Sequence, residues 1–158
     1  MAKKQRRKNG DIVEIVVDNK KYFARVLENP LFAFYDIQVE LDVLVLCEDI
    51  IMKPVLFKVD VMKYAITGGR WKVIGNLPLS DDLLEPPVFF RQDALNDELF
   101  LYYADGTEAP ASFEQCAELE CAAVWDPEHV EDRLVDHYHG RPNCWYESAR
   151  PKAPKAPN

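Results

Sequence analysis

No apolar run in this chain approaches the roughly 20 residues that a membrane-spanning helix needs, so no span is expected. Among 158 residues there are only three histidines, four cysteines and six glycines. Gly68-Gly69 is isolated and has no Lys-Ser or Lys-Thr after it, which removes the phosphate-cradling loop of nucleotide-binding proteins. Cys47, Cys116, Cys121 and Cys144 contain no C-x2-C pair, and His137 and His139 fall on different sides of a helix. No metal and no other cofactor is therefore expected. Met1–Lys8 is basic, but Gly10-Asp11 and a strand follow it where a signal peptide would carry an apolar core. Reduced thiols and a cytoplasmic location are the expectation. Cys47 has no neighbouring histidine, and Asp126, Glu128, His129, Glu131 and Asp132 would fan outward from a helix instead of converging on a reacting atom. No catalytic residue is assigned, and the chain does not read as an enzyme.

Acid is missing from both ends. Residues 1–8 hold five Lys/Arg and residues 150–158 hold three, with no Asp or Glu in either segment. Taking those eight from nineteen basic residues leaves eleven against all twenty-seven acids, so residues 9–149 carry about −16. Such a body repels nucleic acid and attracts basic proteins. The expected organisation is a disordered basic tail over 1–8, one domain over 9–149, and a disordered Pro/Lys/Ala tail over 150–158.

Along the chain, residues 12–17, 22–27 and 31–39 read as strands, the last apolar enough to be central. Asp42 is placed as the cap of a short helix through Met52, with Val43, Leu46, Cys47 and Ile50 on its buried face. Residues 55–61 and 71–77 are further strands, and residues 80–84 form one helical turn. Pro86-Pro87 opens an extended piece to Arg91, and residues 99–103 form a strand ending at the Asp105-Gly106 turn. Ser112 and Gln115 form a capping box that starts a helix through about Ala123. Strands first and helices after predict an α+β fold: a strongly bent antiparallel β-sheet or small barrel, two C-terminal helices and one short internal helix. Phe34, Trp71 and Trp125 are placed in the core.

The second C-terminal helix is the most legible element. Asp126 is positioned as its N-cap, Pro127 at its first position, and Gly140 and Pro142 as its stop. Val130, Leu134 and Tyr138 recur every four residues as an apolar stripe. Glu128, Asp132 and Asp136 recur with the same period, and Glu131 stands beside them. Like charges at this spacing oppose helix formation by a few tenths of a kcal/mol. Such a row serves either solubility or a positive partner.

Residues 123–143 resemble the closing segment of the immunity protein 26 family of bacterial polymorphic-toxin systems. Other segments agree in order: Gly10-Asp11-Ile12-Val13, Arg25-Val26-Leu27, residues 30–36, residues 55–59, residues 69–75, Pro86-Pro87 and Phe89-Phe90. The resemblance runs from residue 10 to about residue 148. It implies a small cytoplasmic protein that binds and neutralises a toxin made by the same cell, without naming the toxin. Steric and electrostatic occlusion of a basic cognate toxin domain is the expected mode, with no membrane partner. On charge alone, and not from the family, the expected contact surface is Glu128, Glu131, Asp132 and Asp136, with Glu114, Glu118 and Glu120 as neighbours. The alternative reading is a nucleic-acid- or peptide-binding barrel module that uses Lys3–Lys8 for phosphate contacts. The negative body disfavours nucleic acid.

Overall fold

Asp18 and Asn19 both take positive φ, 49° and 63°, so the chain reverses within two residues. That turn joins β1 (Asp11–Val17) to β2 (Lys20–Val26) as an antiparallel pair. The structure is a computed structural model and describes residues 5–153. β3 (Leu31–Glu40) pairs with β2, and β4 (Val55–Val61) pairs with β3, both antiparallel. β5 (Lys72–Asn76) lies on the other side of β1. Register shifts interrupt the β1–β5, β2–β3 and β3–β4 ladders, and such irregularities bend a sheet.

Long-range contacts divide the chain into two compact units. The first contains the chain up to Glu85 together with Val124–Asn143, and the second contains Pro86–Ala123 together with the chain from Cys144. In the first, a two-residue strand, β9 (Val124–Trp125), adds parallel to β4, giving the order β5-β1-β2-β3-β4-β9. The sheet is open, so the fold is α+β with a bent, largely antiparallel sheet and not a closed barrel.

Both faces of this sheet are covered, which is why β2 and β3 are buried almost throughout. On one face Phe32 and Phe34 meet the edge of Trp71, each at 5.7 Å between ring centroids. Phe34 stacks on Phe57 at 4.9 Å, and the Arg133 guanidinium lies 3.7 Å above the Phe57 ring centre. Phe34, Trp71 and Trp125 are all buried. On the other face, Ile12, Phe23, Tyr35, Ile37 and Ile50 form a cluster with Val45, Cys47 and Ile51 against it. Gln5 is tied into this unit: its amide donates to Ile66 O (3.0 Å) and Trp71 O (2.8 Å) and accepts from Val73 N (2.9 Å). Arg7 donates to Leu31 O at 2.7 Å. Residues 1–4 of the expected basic tail lie outside the described residues.

Three local expectations are corrected. The helix expected from Asp42 to Met52 is a single turn, α1 (Cys47–Ile50), with Leu46 at its N-cap and no side-chain cap. Leu41, Val43, Leu44 and Leu46 are exposed, so Val43 and Leu46 do not share a buried face with Ile50. The β-branched Val43 and Val45 disfavour helix, and Val45 and Cys47 of this segment reach the sheet instead. The loop before β5 contains a turn that was not expected, α2 (Tyr64–Thr67), too short to show a period and held by burial of Ala65 and Ile66. The turn expected at residues 80–84 is present as α3 (Asp81–Leu84).

The third correction lies in the second unit. There β6 (Phe89–Gln92), β7 (Leu99–Tyr102) and β8 (Glu108–Pro110) form an antiparallel meander. α4 (Phe113–Cys116) opens with the expected capping box: Gln115 N donates to Ser112 Oγ (3.1 Å) and Ser112 N donates to Gln115 Oε1 (2.8 Å). It does not continue to Ala123. The chain instead lies along β6, with Phe90 N donating to Glu120 O (3.0 Å) and Ala122 N to Phe90 O (2.8 Å). A strand edge with unpaired backbone groups outcompetes a short stretch of good helix formers. Phe90, Leu99 and Cys116 form this unit's core. α6 (Cys144–Ser148) follows, then Arg150, which donates to Tyr146 Oη (2.9 Å), and Lys152, whose main chain pairs with the Gln92 amide (2.8 and 2.9 Å). Residues 154–158 of the expected C-terminal tail lie outside the described residues.

Candidate partner-binding surface

The long helix α5 (Pro127–Tyr138) starts where β9 ends, so pairing of Trp125 with Val61 sets its origin against the sheet. Asp126 occupies the N-cap, though its side chain makes no cap hydrogen bond, and Pro127 is the first helical residue. Val130 and Leu134 are fully buried. Tyr138 completes the stripe: its ring packs on Tyr22 at 5.8 Å and its hydroxyl donates to Asp36 Oδ1 at 2.7 Å. Burial and that hydrogen bond push the Tyr138 phenol up.

The acidic row on the other side of α5 is not uniform. Glu131 is only 8% exposed and turns inward. The Arg70 guanidinium donates to both of its oxygens (2.6 and 2.9 Å), and the buried Trp71 Nε1 donates to Oε2 at 2.9 Å. Glu131 is thus an internal acceptor for a core indole and is corrected from the expected contact surface. A partner cannot reach it without breaking that arrangement. Asp136 accepts from Asn143 Nδ2 (2.9 Å) and lies 3.2 Å from Arg141 Nη2. Asp132 is exposed. Glu128 accepts from Tyr64 Oη at 2.7 Å and lies 3.4 Å from Arg70 Nη1. Arg70 and Arg141 therefore offset much of the charge that the sequence displays as a bare row. Glu114 and Glu118 are exposed residues of the second unit.

The Tyr64–Glu128 bond has a measurable signature. The hydrogen bond to Glu128 pushes the Tyr64 phenol up to about 12 from 10.0, and the same bond holds the Glu128 carboxyl below its ordinary 4.5. The phenol's contribution to stability is fully present below pH 10 and lost as pH rises through about 12. The carboxylate's contribution is present above pH 4.5 and lost as pH falls through its lowered value. Replacing Glu128 with glutamine is expected to return Tyr64 towards 10.0. The readout is a tyrosinate absorbance titration, differenced against Tyr64→Phe. An unchanged titration means that the two side chains do not pair in solution.

No group of three or more His, Cys, Asp or Glu side chains among the described residues is placed to hold a metal. His137 lies 3.7 Å from Asp36, and His129 lies 3.7 Å from Asp126. Among the described residues no helix is long and apolar enough to cross a membrane.

The outward apolar surface of residues 41–52 was not expected from the sequence. Leu44, Leu46 and Met52 are 86%, 59% and 80% exposed. The signal was present, because eight of those twelve residues are Leu, Val, Ile or Met, more than one helical turn can bury.

The family model described as Immunity protein 26 matches residues 8–101. The match ends before α5. No curated protein and no solved structure matches the chain.

Proposed function

Because the chain belongs to the immunity protein 26 family, we propose that it binds a toxin protein made by the same cell and neutralises it by occupancy in the cytoplasm, without turnover. The family match carries this reading, and the charge supports it. A body of about −16 over residues 9–149 steers onto a basic surface and stands in the way of the toxin's substrate. Basic partners associate with such a body faster than neutral ones by one to three orders of magnitude at low salt, roughly.

The test is co-expression with the product of the gene adjacent to its own, followed by co-purification. Survival of the cells, a stable complex, and an association rate that falls steeply with added salt are expected. On α5, Asp132→Lys removes an exposed acid without touching the Glu131 pair, and is expected to slow association several-fold, roughly, at low salt. Cell death with no complex formed ends the reading.

A further inference from the structure

The two acidic surfaces of the first unit differ in kind. On α5, Glu128 and Glu131 engage Arg70, and Asp136 engages Arg141. Residues 40–52 hold Glu40, Asp42, Glu48 and Asp49, with no Lys, Arg or His. Glu40 pairs with Lys20, but among the described residues Asp42, Glu48 and Asp49 have no ion-pair partner. Amid this uncompensated charge stand Leu44, Leu46 and Met52, more exposed than large apolar side chains ordinarily are, with Leu41 and Val43 partly exposed beside them.

This is not a loose loop. Val45, Cys47, Ile50 and Ile51 from the same segment pack on Ile12, Phe23, Tyr35 and Ile37. Main-chain bonds fix its course: Val43 N to Glu40 O (3.0 Å), Ile50 N to Leu46 O (3.1 Å) and Ile51 N to Cys47 O (3.2 Å). A Cβ added at Gly75 of β5 would stand 2.8 Å from Cys47 Sγ, so the strand and α1 are in close approach. The backbone that carries the outward side chains is fixed before any partner arrives, which lowers the ordering cost of binding.

We infer that Leu44, Leu46 and Met52, rimmed by Asp42, Glu48 and Asp49, form the anchor through which this chain docks on an apolar recess bordered by Lys and Arg on the toxin. The inference rests on the toxin-binding reading above and names its contact surface. The charge selects the occupant. A second copy of this chain would bring the same three acids against themselves in a two-fold interface, and a neutral apolar partner would leave them desolvated and unpaired. A basic rim around an apolar recess satisfies both parts. The arrangement has the anatomy of a protein interface, an apolar centre inside a charged border.

The experiment uses the full chain and the adjacent gene's product, with association and dissociation rates measured for wild type and four variants. Leu44→Asp/Met52→Asp alters only outward side chains, and circular dichroism checks that it folds. It is expected to weaken binding about 30-fold or more, mainly through faster dissociation. Glu48→Lys/Asp49→Lys is expected to slow association and flatten its salt dependence. Gly75→Ala, which pushes Cys47 and the segment it anchors, is expected to weaken binding by less than the double aspartate variant. Asp132→Lys on α5 serves as the competing surface. If wild type binds and the folded Leu44→Asp/Met52→Asp protein binds within about threefold of it, the inference is overturned and the toxin reading stands. A larger loss from Asp132→Lys than from the apolar pair overturns it as well, and so does wild-type self-association that the apolar pair abolishes while toxin binding is unchanged. If wild type does not bind, the reading and the inference fall together.

Discussion

Arg25→Ala is expected to lower the stability of the first unit by about 3–5 kcal/mol. Arg25 is 1% exposed, and its guanidinium donates to Gly10 O (2.9 Å), Tyr35 Oη (3.2 Å), Pro78 O (3.0 Å) and Leu77 O. Those acceptors lie on β1's entry, on β3 and on the segment leaving β5. One fully buried side chain therefore ties together pieces of chain more than fifty residues apart in sequence. Truncation leaves a cavity and strips several carbonyls of their donor, and both effects act in the same direction. Removal of a buried charge offsets part of the loss. The offset is incomplete because the Gly10 and Tyr35 acceptors are buried, although the carbonyls of residues 77–78 are reached more easily by water. Arg25→Lys is not expected to rescue stability, because a single ammonium cannot span four acceptors set around a planar fork. Denaturant titration measures the loss, and amide exchange in β1, β2 and β5 locates it. A loss under about 1 kcal/mol would mean that the guanidinium is solvated and not a tie.

Glu131→Ala has the second largest expected effect, about 2–4 kcal/mol. The ion pair with Arg70 is not the main reason, since the Arg70 side chain is 42% exposed and water takes up its released donors. The indole N–H of Trp71 is the reason. Trp71 is fully buried against Phe32 and Phe34, and Glu131 supplies its acceptor. An unsatisfied buried donor costs about 1–3 kcal/mol, and the lost packing adds to it. Glu131→Gln keeps an acceptor oxygen and is expected to cost about 1 kcal/mol. The contrast between the two variants, read by denaturant titration with Trp fluorescence, separates an internal acceptor from a surface acid. Equal effects within about 0.5 kcal/mol would return Glu131 to the surface.

Both residues show where reading the chain alone stops. Glu131 follows Glu128 and precedes Asp132 in a charged row, and nothing local distinguishes it from them. Its partners Arg70 and Trp71 come from about sixty residues away. Arg25 sits in an ordinary strand sequence, and its acceptors are main-chain carbonyls that carry no residue identity. The apolar surface on residues 41–52 was misread for a related reason. Periodicity assumes that apolar residues turn inward, and here the sheet has room only for Val45, Cys47, Ile50 and Ile51. The helix expected after Ser112 failed where β6 presented an open edge.

Elements governed by neighbouring residues were legible: the break between the strands expected at 12–17 and 22–27, the Ser112–Gln115 capping box, the Asp-Pro start of α5 and its Val130–Leu134–Tyr138 stripe. The positions of β1 to β7, burial of Phe34, Trp71 and Trp125, and the anionic body also follow from composition and pattern, because they depend on residue type within a few positions. Tertiary structure alone decided which acids are offset and which are left bare, that β9 closes onto β4 in parallel, and which leucines face water. Those outcomes depend on groups brought together across the sheet, and the free energy of each pairing exists only once both partners share one place in space.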